Sequence, residues 1–584
     1  MAEDRSLPAP VNLLAGPLAA MSKNERIKVE SEGLYWVSSP GDRHSFQDEV
    51  LALERKERET LSGEAKELSK FFGIYKQQTR GERGRKTHEY IFMVRIKAPA
   101  GGGFDARQWA ALDDASERFA DGTLRITSRQ GLQYHGVVGE TLGPLVRHLN
   151  RSYRGGATLG ACGDVNRNVM CSPVEGLDPD WATGGRELAL AIAEELAPRS
   201  SAYFQVFASD DAGRNVGPIN SDEPLYGRNY LPRKFKIGIA HPTDNSIDVL
   251  TQDIGLVPVA TDLPADGSVW DLHSGGGLGL THNNPQTAAL LGLYLGRIRR
   301  EQVVLAAKAI AILQKEHGER RDRRQARWKY TIRRLGVDKV KAELRGRFGI
   351  EIEDSASAPL PPLQLFHGWQ RQRDGRHFYG ISVENGRMQP ELRRAVRVAV
   401  EELALTVRLT AQQDLLLCDV AERPALERIL DAHGVARPES LSRVRRLAMA
   451  CPAKPTCGLA MTEAERVLPS YVDAIDQAGL GDVDVVIRMT GCPNNCARPS
   501  TAEIGIYGYG KNDHVVLVGG TREGTRIAQT LYPRVPEEKM VAVLVGLLRA
   551  LRERNAEGLP AGEFLHRTDP DQLRAWVGVG DLVV

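Results

Sequence analysis

The stretch LRITSRQGLQYHGVV, Leu124 to Val138, returns in altered form as VRLTAQQDLLLCDV, Val407 to Val420, and this pairing decides the fold. Leu124-Arg-Ile-Thr-Ser-Arg-Gln130 sits over Val407-Arg-Leu-Thr-Ala-Gln-Gln413 at an offset of 283 residues. The signals around each copy come in the same order. Before the first, Tyr90 to Ala98 reads as a strand and Gly101 to Gly103 break it. Asp105 to Ala120 then carries Trp109, Leu112 and Phe119 on one helical face. Before the second, HFYGISVENG from His377 reads as a strand ending in a turn, and Glu391 to Leu405 as a helix. A second pair of blocks supports the first. KFKIGIAHPTDNSIDVLTQDIG, from Lys234, resembles VVIRMTGCPNNCARPSTAEIG, from Val485, setting His241-Pro242 over Cys492-Pro493 and Asn245 over Cys496. Short strands look alike by chance, but two blocks in one order indicate an internal duplication. Two related halves, each a βαβ-type unit plus a larger α/β unit, then face one another across a pseudo-twofold axis, and their interface is a natural place for a large cofactor.

Composition sets the outer limits. At roughly 150 residues per domain, 584 residues suggest about four compact units. Lys and Arg total 77 against 75 Asp and Glu, a net charge of +2, which argues against bulk electrostatic binding of nucleic acid or a membrane surface. With 42% hydrophobic and 26% charged residues the chain is ordinary globular material. No apolar run approaches the roughly 20 residues a bilayer crossing needs. The uncharged stretch Pro10 to Met21 follows Glu3 and Asp4 rather than a basic region, so it reads as a tail on a cytoplasmic protein and not as a signal peptide. The charge-rich segment after it includes an expected helix from Asp48 to Phe72.

Seven cysteines in so long a chain are no disulfide scaffold. Cys162, Cys171 and Cys418 are scattered, whereas Cys451, Cys457, Cys492 and Cys496 fall within 46 residues. Structural zinc sites usually carry C-x2-C knuckles, and neither pair has that spacing; wider spacings suit a cubane that accepts thiolates from separate turns. Pro452, Pro455, Gly458, Gly491 and Pro493 put the sulfurs on loops. A [4Fe–4S] cluster leads on spacing alone, with zinc or four buried thiols as alternatives.

The text around these cysteines, CPAKPTCGLAMTEAERVLPSY and TGCPNNCARP, resembles the sulfite and nitrite reductase family. So do YIFMVRIKAP at Tyr90, LRITSRQGLQYHGV at Leu124, LGACGDVNRNVM at Leu159, NYLPRKFKIGIAHP at Asn229, the Gly275 to Leu278 segment and GTRIAQ at Gly524. By that resemblance the cofactors are a sirohaem and a [4Fe–4S] cluster held by Cys451, Cys457, Cys492 and Cys496, with Cys496 bridging to the sirohaem iron. The implied fold is α+β and internally duplicated: two ferredoxin-like half-units plus two larger α/β units with mixed sheets around a central sirohaem site. The expected boundaries are 1–85 for an N-terminal extension, 86–150 and 346–440 for the ferredoxin-like half-domains, 151–345 for a sirohaem and substrate-cation domain, and 441–584 for the cluster-bearing domain.

Reducing a small dianion beside an electron-rich haem requires fixed cations in a dry pocket. Taken singly, Arg95, Arg167, Lys234 and Lys236 read as solvated charges; the resemblance makes them the substrate-binding cations. Lys234 and Lys236, at i and i+2, share a face if the segment is extended. Arg125, Thr127, Arg129, Gln133 and His135 alternate along what reads as one strand, where a core strand would carry hydrophobes. An exposed hairpin face is the alternative; in the family this segment lies against the macrocycle. Asn494 and Arg498 match further sirohaem contacts. The run Arg323, Arg324, Arg327 and Lys329 reads equally as carboxylate partners or as a solvated helix face.

The expected function is the six-electron reduction of sulfite to hydrogen sulfide in sulfate assimilation. A ferredoxin-dependent nitrite reductase, or a non-catalytic Fe–S electron carrier, is the alternative. In nitrite reductases the segment equivalent to RKFK usually reads RKWN, and sulfite carries one more charge than nitrite, so Lys236 favours sulfite. Gly275 to Gly279 lacks the strand–GxGxxG–helix setting of a dinucleotide site, so electrons must come from another protein. YKQQTRGERG, from Tyr75, and TLGACGDVNRNV, from Thr158, favour ferredoxin over a flavoprotein subunit, docked on basic residues such as Arg549, Arg552 and Arg554.

Overall fold

The computed structural model describes residues 46–80, 86–199, 203, 225–227, 230–259, 268–281, 284–510, 512–580 and 582. The Pro10–Met21 tail, residues 81–84 of the YKQQTRGERG motif and Asn229 lie outside these.

Four five-stranded sheets come as two matched pairs. The first ferredoxin-like sheet orders its strands Ile74–Arg80, Lys86–Ile96, Leu132–Val137, Leu124–Ile126 and Arg387–Met388; the second orders Gly368–Arg371, His377–Ile381, Leu415–Val420, Thr406–Leu409 and Gly102–Phe104. Each sheet is therefore completed by a short antiparallel strand from the other half. The exchange has a local cause. A left-handed residue, Ala100 (φ 53°) in one half and Asn385 (φ 51°) in the other, turns the chain just before the exchanged strand.

Helices 106–119 and 390–403 pack against each other across the two half-units. The first opens on a capping box between Asp105 and Gln108, the second on Pro390 at its first turn. Arg393 joins Asp113 at 2.7 Å between them, both largely buried.

The larger sheets also match. Met170–Cys171, Ile237–Ile239 and Ile254–Pro258 run parallel, then Val269–Ser274 and Leu293–Arg299 antiparallel; Met449–Ala450, Ile487–Thr490, Ile504–Gly510, Asp513–Val518 and Gln529–Pro536 repeat the scheme. One apolar core runs through the first half and both ferredoxin-like sheets, and a second lies within the cysteine-bearing unit.

Four sequence expectations need correction. Leu124 to Val138 is not one strand but a hairpin, closed by Thr127 N donating to the Gly131 carbonyl at 2.8 Å with Gln130 left-handed. The second aligned pair is out by one residue. Ile237 pairs with Ile254 as Ile487 pairs with Ile504, so Asn245 corresponds to Asn495, Ser246 to Cys496 and Asp248 to Arg498. The helix from Asp48 to Phe72 is instead Phe46–Glu54 and Gly63–Ser69 followed by a 3-10 turn, because Lys56 is left-handed and Ser62 starts a new helix by capping Ala65 N. Strand Ile74–Arg80 also places the start of the first sheet within the stretch expected as an N-terminal extension.

Candidate active site

Cys451 and Cys492 follow neighbouring parallel strands, so both chains leave the sheet at its carboxyl edge, where open sheets of this kind hold ligands. The two loops are laced together. Cys451 N donates to the Met489 carbonyl (3.1 Å), Gly491 N to Cys451 Sγ (3.4 Å), and Met461 N and Thr462 N to the Gly491 carbonyl (2.7 and 3.1 Å). A side chain at Gly491 would fall 2.6 Å from Ala453 Cβ and from the Thr462 carbonyl, so only glycine lets the loops approach. Cys451 and Cys492 are buried, Cys457 partly so, and Cys496 is exposed. Burial, reinforced by the neighbouring sulfurs, pushes the Cys451 thiol well up and that of Cys492 to about 12. Such thiols stay protonated until a cationic metal centre ionises them. Among the described residues no three His, Cys, Asp or Glu side chains are grouped as ligands of a single ion.

Cys496 opens onto a small cleft shared with Arg129, Lys234, Lys236, Arg327, Asn494 and Arg498. Lys234 and Lys236 immediately precede strand Ile237–Ile239 and line this cleft, and among the described residues neither ammonium has a hydrogen bond or ion pair. Burial and then cationic neighbours, Arg233 and Arg167 at Lys234 and Arg129 at Lys236, hold both pKa values well below the usual lysine value.

Arg95, Gln133 and Arg125 form a row across three adjacent strands. With its amide oxygen turned towards Arg95, Gln133 accepts from the guanidinium at 3.1 Å. Arg95 Nη1 also reaches Cys162 Sγ at 3.2 Å, and Arg167 donates to the Gly163 carbonyl from Nε and Nη2 (3.2 and 3.1 Å). Tyr75 lies close to Cys162 and Arg167, and burial first, then Cys162, pushes its phenol up to about 12. Tyr75 and Cys162 were not among the expected site residues. Neither is distinguished by spacing: the pairing of strand 74–80 with strand 86–96 brings Tyr75 near Arg95, and Cys162 arrives from a separate loop.

The remaining expected cofactor contacts divide. His135 is buried with both ring nitrogens unpartnered, its pKa driven well below normal by burial and then by Arg387, Arg125 and Arg95. Arg129 bonds Gln252 (2.7 Å) and the Asn168 carbonyl (2.5 Å) yet keeps a buried, unpartnered Nε. Thr127 builds the hairpin turn, its hydroxyl accepting from Arg129 N and Gly131 N. Arg125 ties the halves together through Glu465 (2.8 Å) and the carbonyls of Asn385 and Ala450. Arg498 is likewise engaged, with Asp248 (2.7 Å), Gln412 (3.0 Å) and the carbonyls of Ser246 and Ala411. The basic run splits: Arg324 is exposed on Asp322 and Arg323 holds Asp164, while Arg327 and Lys329 turn inward onto Asp253 and onto the Gly277 and Gly279 carbonyls. Four neighbouring cysteines that act electrostatically on one another, beside two lysines without a partner among the described residues, an orphaned imidazole and an orphaned guanidinium nitrogen, fit a metal cluster alongside a polyanionic ligand.

The duplication makes a second cleft, which the chain fills itself. The positions matching Lys236 and Gln252 are Val486 and Ala502, and Leu363 and Leu365 of the connecting segment pack on them. Gln364 N bonds Asp244 Oδ1 (3.1 Å), the Pro362 carbonyl accepts from Asn245 N (3.2 Å), and His367 meets Asp414 at 3.0 Å. One cleft carries cations and cysteines; the other is an apolar seam.

The family described as nitrite and sulphite reductase 4Fe-4S domain matches residues 162–352 and 448–581, and the nitrite/sulfite reductase ferredoxin-like half domain matches 83–152 and 370–433. The chain is 36% identical over 562 residues to the sulfite reductase [NADPH] hemoprotein beta-component of Staphylococcus saprophyticus, covering 94% of this chain and 95% of that one. It is 35% identical to the sulfite reductase [ferredoxin] of Synechococcus elongatus, covering 95% and 90%. The solved Mycobacterium tuberculosis NirA protein shares the fold at a TM-score of 0.73 and 22% identity, over 93% of this chain and all of that one. Matched along nearly its whole length, by both domain types and in duplicate, the chain belongs to the nitrite and sulphite reductase family.

Proposed function

We propose that this protein reduces sulfite to hydrogen sulfide, with sirohaem and a [4Fe–4S] cluster as its cofactors and electrons drawn from a separate donor protein. The observation that carries the substrate is the Lys234–Lys236 pair beside Cys496: two ammoniums on the cavity wall that, among the described residues, have no hydrogen bond or ion pair and so offer a cationic site to an anion. The cofactor pair, when bound, supplies the electrons. The protein does the rest. Cys451, Cys457, Cys492 and Cys496 would hold the cluster, and Cys496, which lines the cleft, would be the one nearest the sirohaem. His135 and Arg129 offer the unpartnered nitrogens that a tetrapyrrole's carboxylates require. Lys234, Lys236, Arg95 and Arg167 bind and orient the oxyanion, and the lysines, whose pKa values lie below normal, hold protons they can release to it. Nitrite reduction is the second reading, and Lys236, one cation more than a monoanion needs, weighs against it. A pure electron carrier would have no use for an anion pocket.

An acidic ferredoxin is the proposed donor, on the Tyr75 and Thr158 motifs. The helix 540–554 contributes less free charge than its sequence suggests, since Arg552 is held by Asp482 and the Gly479 carbonyl. Purified protein should show sirohaem absorption and form sulfide from sulfite with reduced methyl viologen; absence of both would overturn the proposal. Reduced ferredoxin should support turnover at low salt and progressively less as ions screen the docking charges. Efficient NADPH-driven turnover with a flavoprotein partner, and none with ferredoxin, would reverse the assignment of the donor.

A further inference from the structure

Asp253 is a carboxylate set in the wall of a cationic cleft. It is fully buried at the start of strand Ile254–Pro258, and Arg327 Nη2 lies 3.1 and 3.0 Å from its two oxygens. Arg327 itself lines the cavity with Arg129, Lys234 and Lys236 and keeps its Nε buried and unpartnered. The negative charge of Asp253 acts on Arg129, Lys236 and Lys329 alike.

The duplicated half supplies a comparison. Its counterpart is Glu503, whose carboxylate accepts from two backbone amides, Val486 N at 2.8 Å and Gly562 N at 3.0 Å, with the Arg522 guanidinium further off at 3.4 Å. Glu503 thus builds backbone. Among the described residues the Asp253 carboxylate has one hydrogen-bond partner, the Arg327 guanidinium on the cavity wall. An acid with no backbone to hold, placed where anions must bind, opposes that binding.

We infer that Asp253 limits how tightly the cleft holds anions, by keeping Arg327 turned onto itself and lowering the positive potential at Lys236. The inference rests on reading the cleft as the oxyanion site. Its use is exchange: a pocket with several cations and no counter-charge would retain whatever anion arrived first, whereas one that carries Asp253 admits a dianion and lets the anion leave again. Asp253 is then a positioning residue that acts through Arg327 and Lys236.

The direction of the effect separates this from a structural role. A unit charge acting across a partly desolvated cleft is worth about tenfold or more in affinity. Asp253→Asn in the intact holoenzyme should therefore tighten the binding of both inorganic phosphate and sulfite, measured by titration calorimetry, by about tenfold or more, and should lower KM for sulfite. Equal or weaker binding in that variant overturns the inference, since removing a residue that only supports the cleft should loosen the anion, not bind it about tenfold more tightly. If Asp253→Asn does not fold, Asp253→Asn combined with Arg327→Gln removes both charges and leaves no unpaired ion. Its affinity should stay within about twofold of the parent protein, and a tenfold loss would show that Arg327 serves the anion and not Asp253. Failure of the parent protein to bind either anion would overturn the oxyanion reading itself, and this inference with it.

Discussion

Asp248 and Arg498 occupy equivalent positions in the two halves and are bound to each other: Asp248 Oδ2 lies 2.7 Å from Arg498 Nε and 2.6 Å from Arg488 Nη1, all three buried. Both residues are left-handed, at φ 50° and 59°, and each precedes a 3-10 turn of the same shape. The pseudo-twofold axis runs between them. Two hairpin glutamines frame the same axis, Gln130 donating to the Leu409 carbonyl (3.0 Å) and Gln413 to the Ile126 carbonyl (3.4 Å). The duplicated halves have kept their geometry and exchanged charge.

Because Asp248 neutralises two guanidiniums, Asp248→Asn should be strongly destabilising. Breaking a buried pair by removing one partner typically costs about 3–5 kcal/mol. Thermal or denaturant unfolding of the purified variant should show a loss of that order; a loss below about 1 kcal/mol would mean that Arg488 and Arg498 find other acceptors.

Replacing any of Cys451, Cys457, Cys492 or Cys496 by serine should deplete iron and acid-labile sulfide in the purified protein. Cys171 and Cys418 lie in separate buried surroundings, and their serine variants should keep full iron content. Full iron content in the Cys496→Ser protein would remove that residue from the proposed ligand set.

Lys236→Asn takes a cation from the anion pocket, and a dianion should feel the loss more than a monoanion. Sulfite turnover is expected to fall by about two orders of magnitude and nitrite turnover by clearly less. Equal losses for both substrates would give Lys236 a general role such as proton delivery.

Leu363 plugs the second cleft against Leu447, Val486 and Ala502, so Leu363→Ala should cost about 2–5 kcal/mol of stability. The effect should be confined to that cleft. Sirohaem content per chain, read from absorption, should not change; a drop would show that the two clefts communicate.

Buried His241, His273 and His514 have pKa values held down to about 4 by loss of solvation. Below the ordinary value near 6.5 the unfolded chain takes up protons that the folded chain refuses, so stability should fall as pH drops from 6.5 towards 4. Both ring nitrogens of His514 are unpartnered. His514→Phe should flatten part of that slope in unfolding measured at a series of pH values; an unchanged slope would place its protonation outside the folding equilibrium.

The sequence by itself determined the duplication, the cysteine quartet and the cations, because each is a matter of residue type at fixed spacing. Repeated blocks record two copies of one backbone, and four cysteines within 46 residues have few bland explanations. It did not determine register or partnership. The one-residue slip that set Asn245 over Cys496 followed a shared proline, whereas the true correspondence lies in which strands pair, Ile237 with Ile254 and Ile487 with Ile504. The single strand read from Leu124 to Val138 failed for a similar reason: a positive φ at Gln130 turns the chain within an otherwise strand-like pattern. Arg125 and Lys234 look alike as isolated basic residues. Tertiary structure alone gave the first a carboxylate and two carbonyls and left the second bare, and it alone showed that the chain between the halves closes one of the two clefts. Those are long-range facts, set by which surfaces meet when two copies fold together, and no local pattern encodes them.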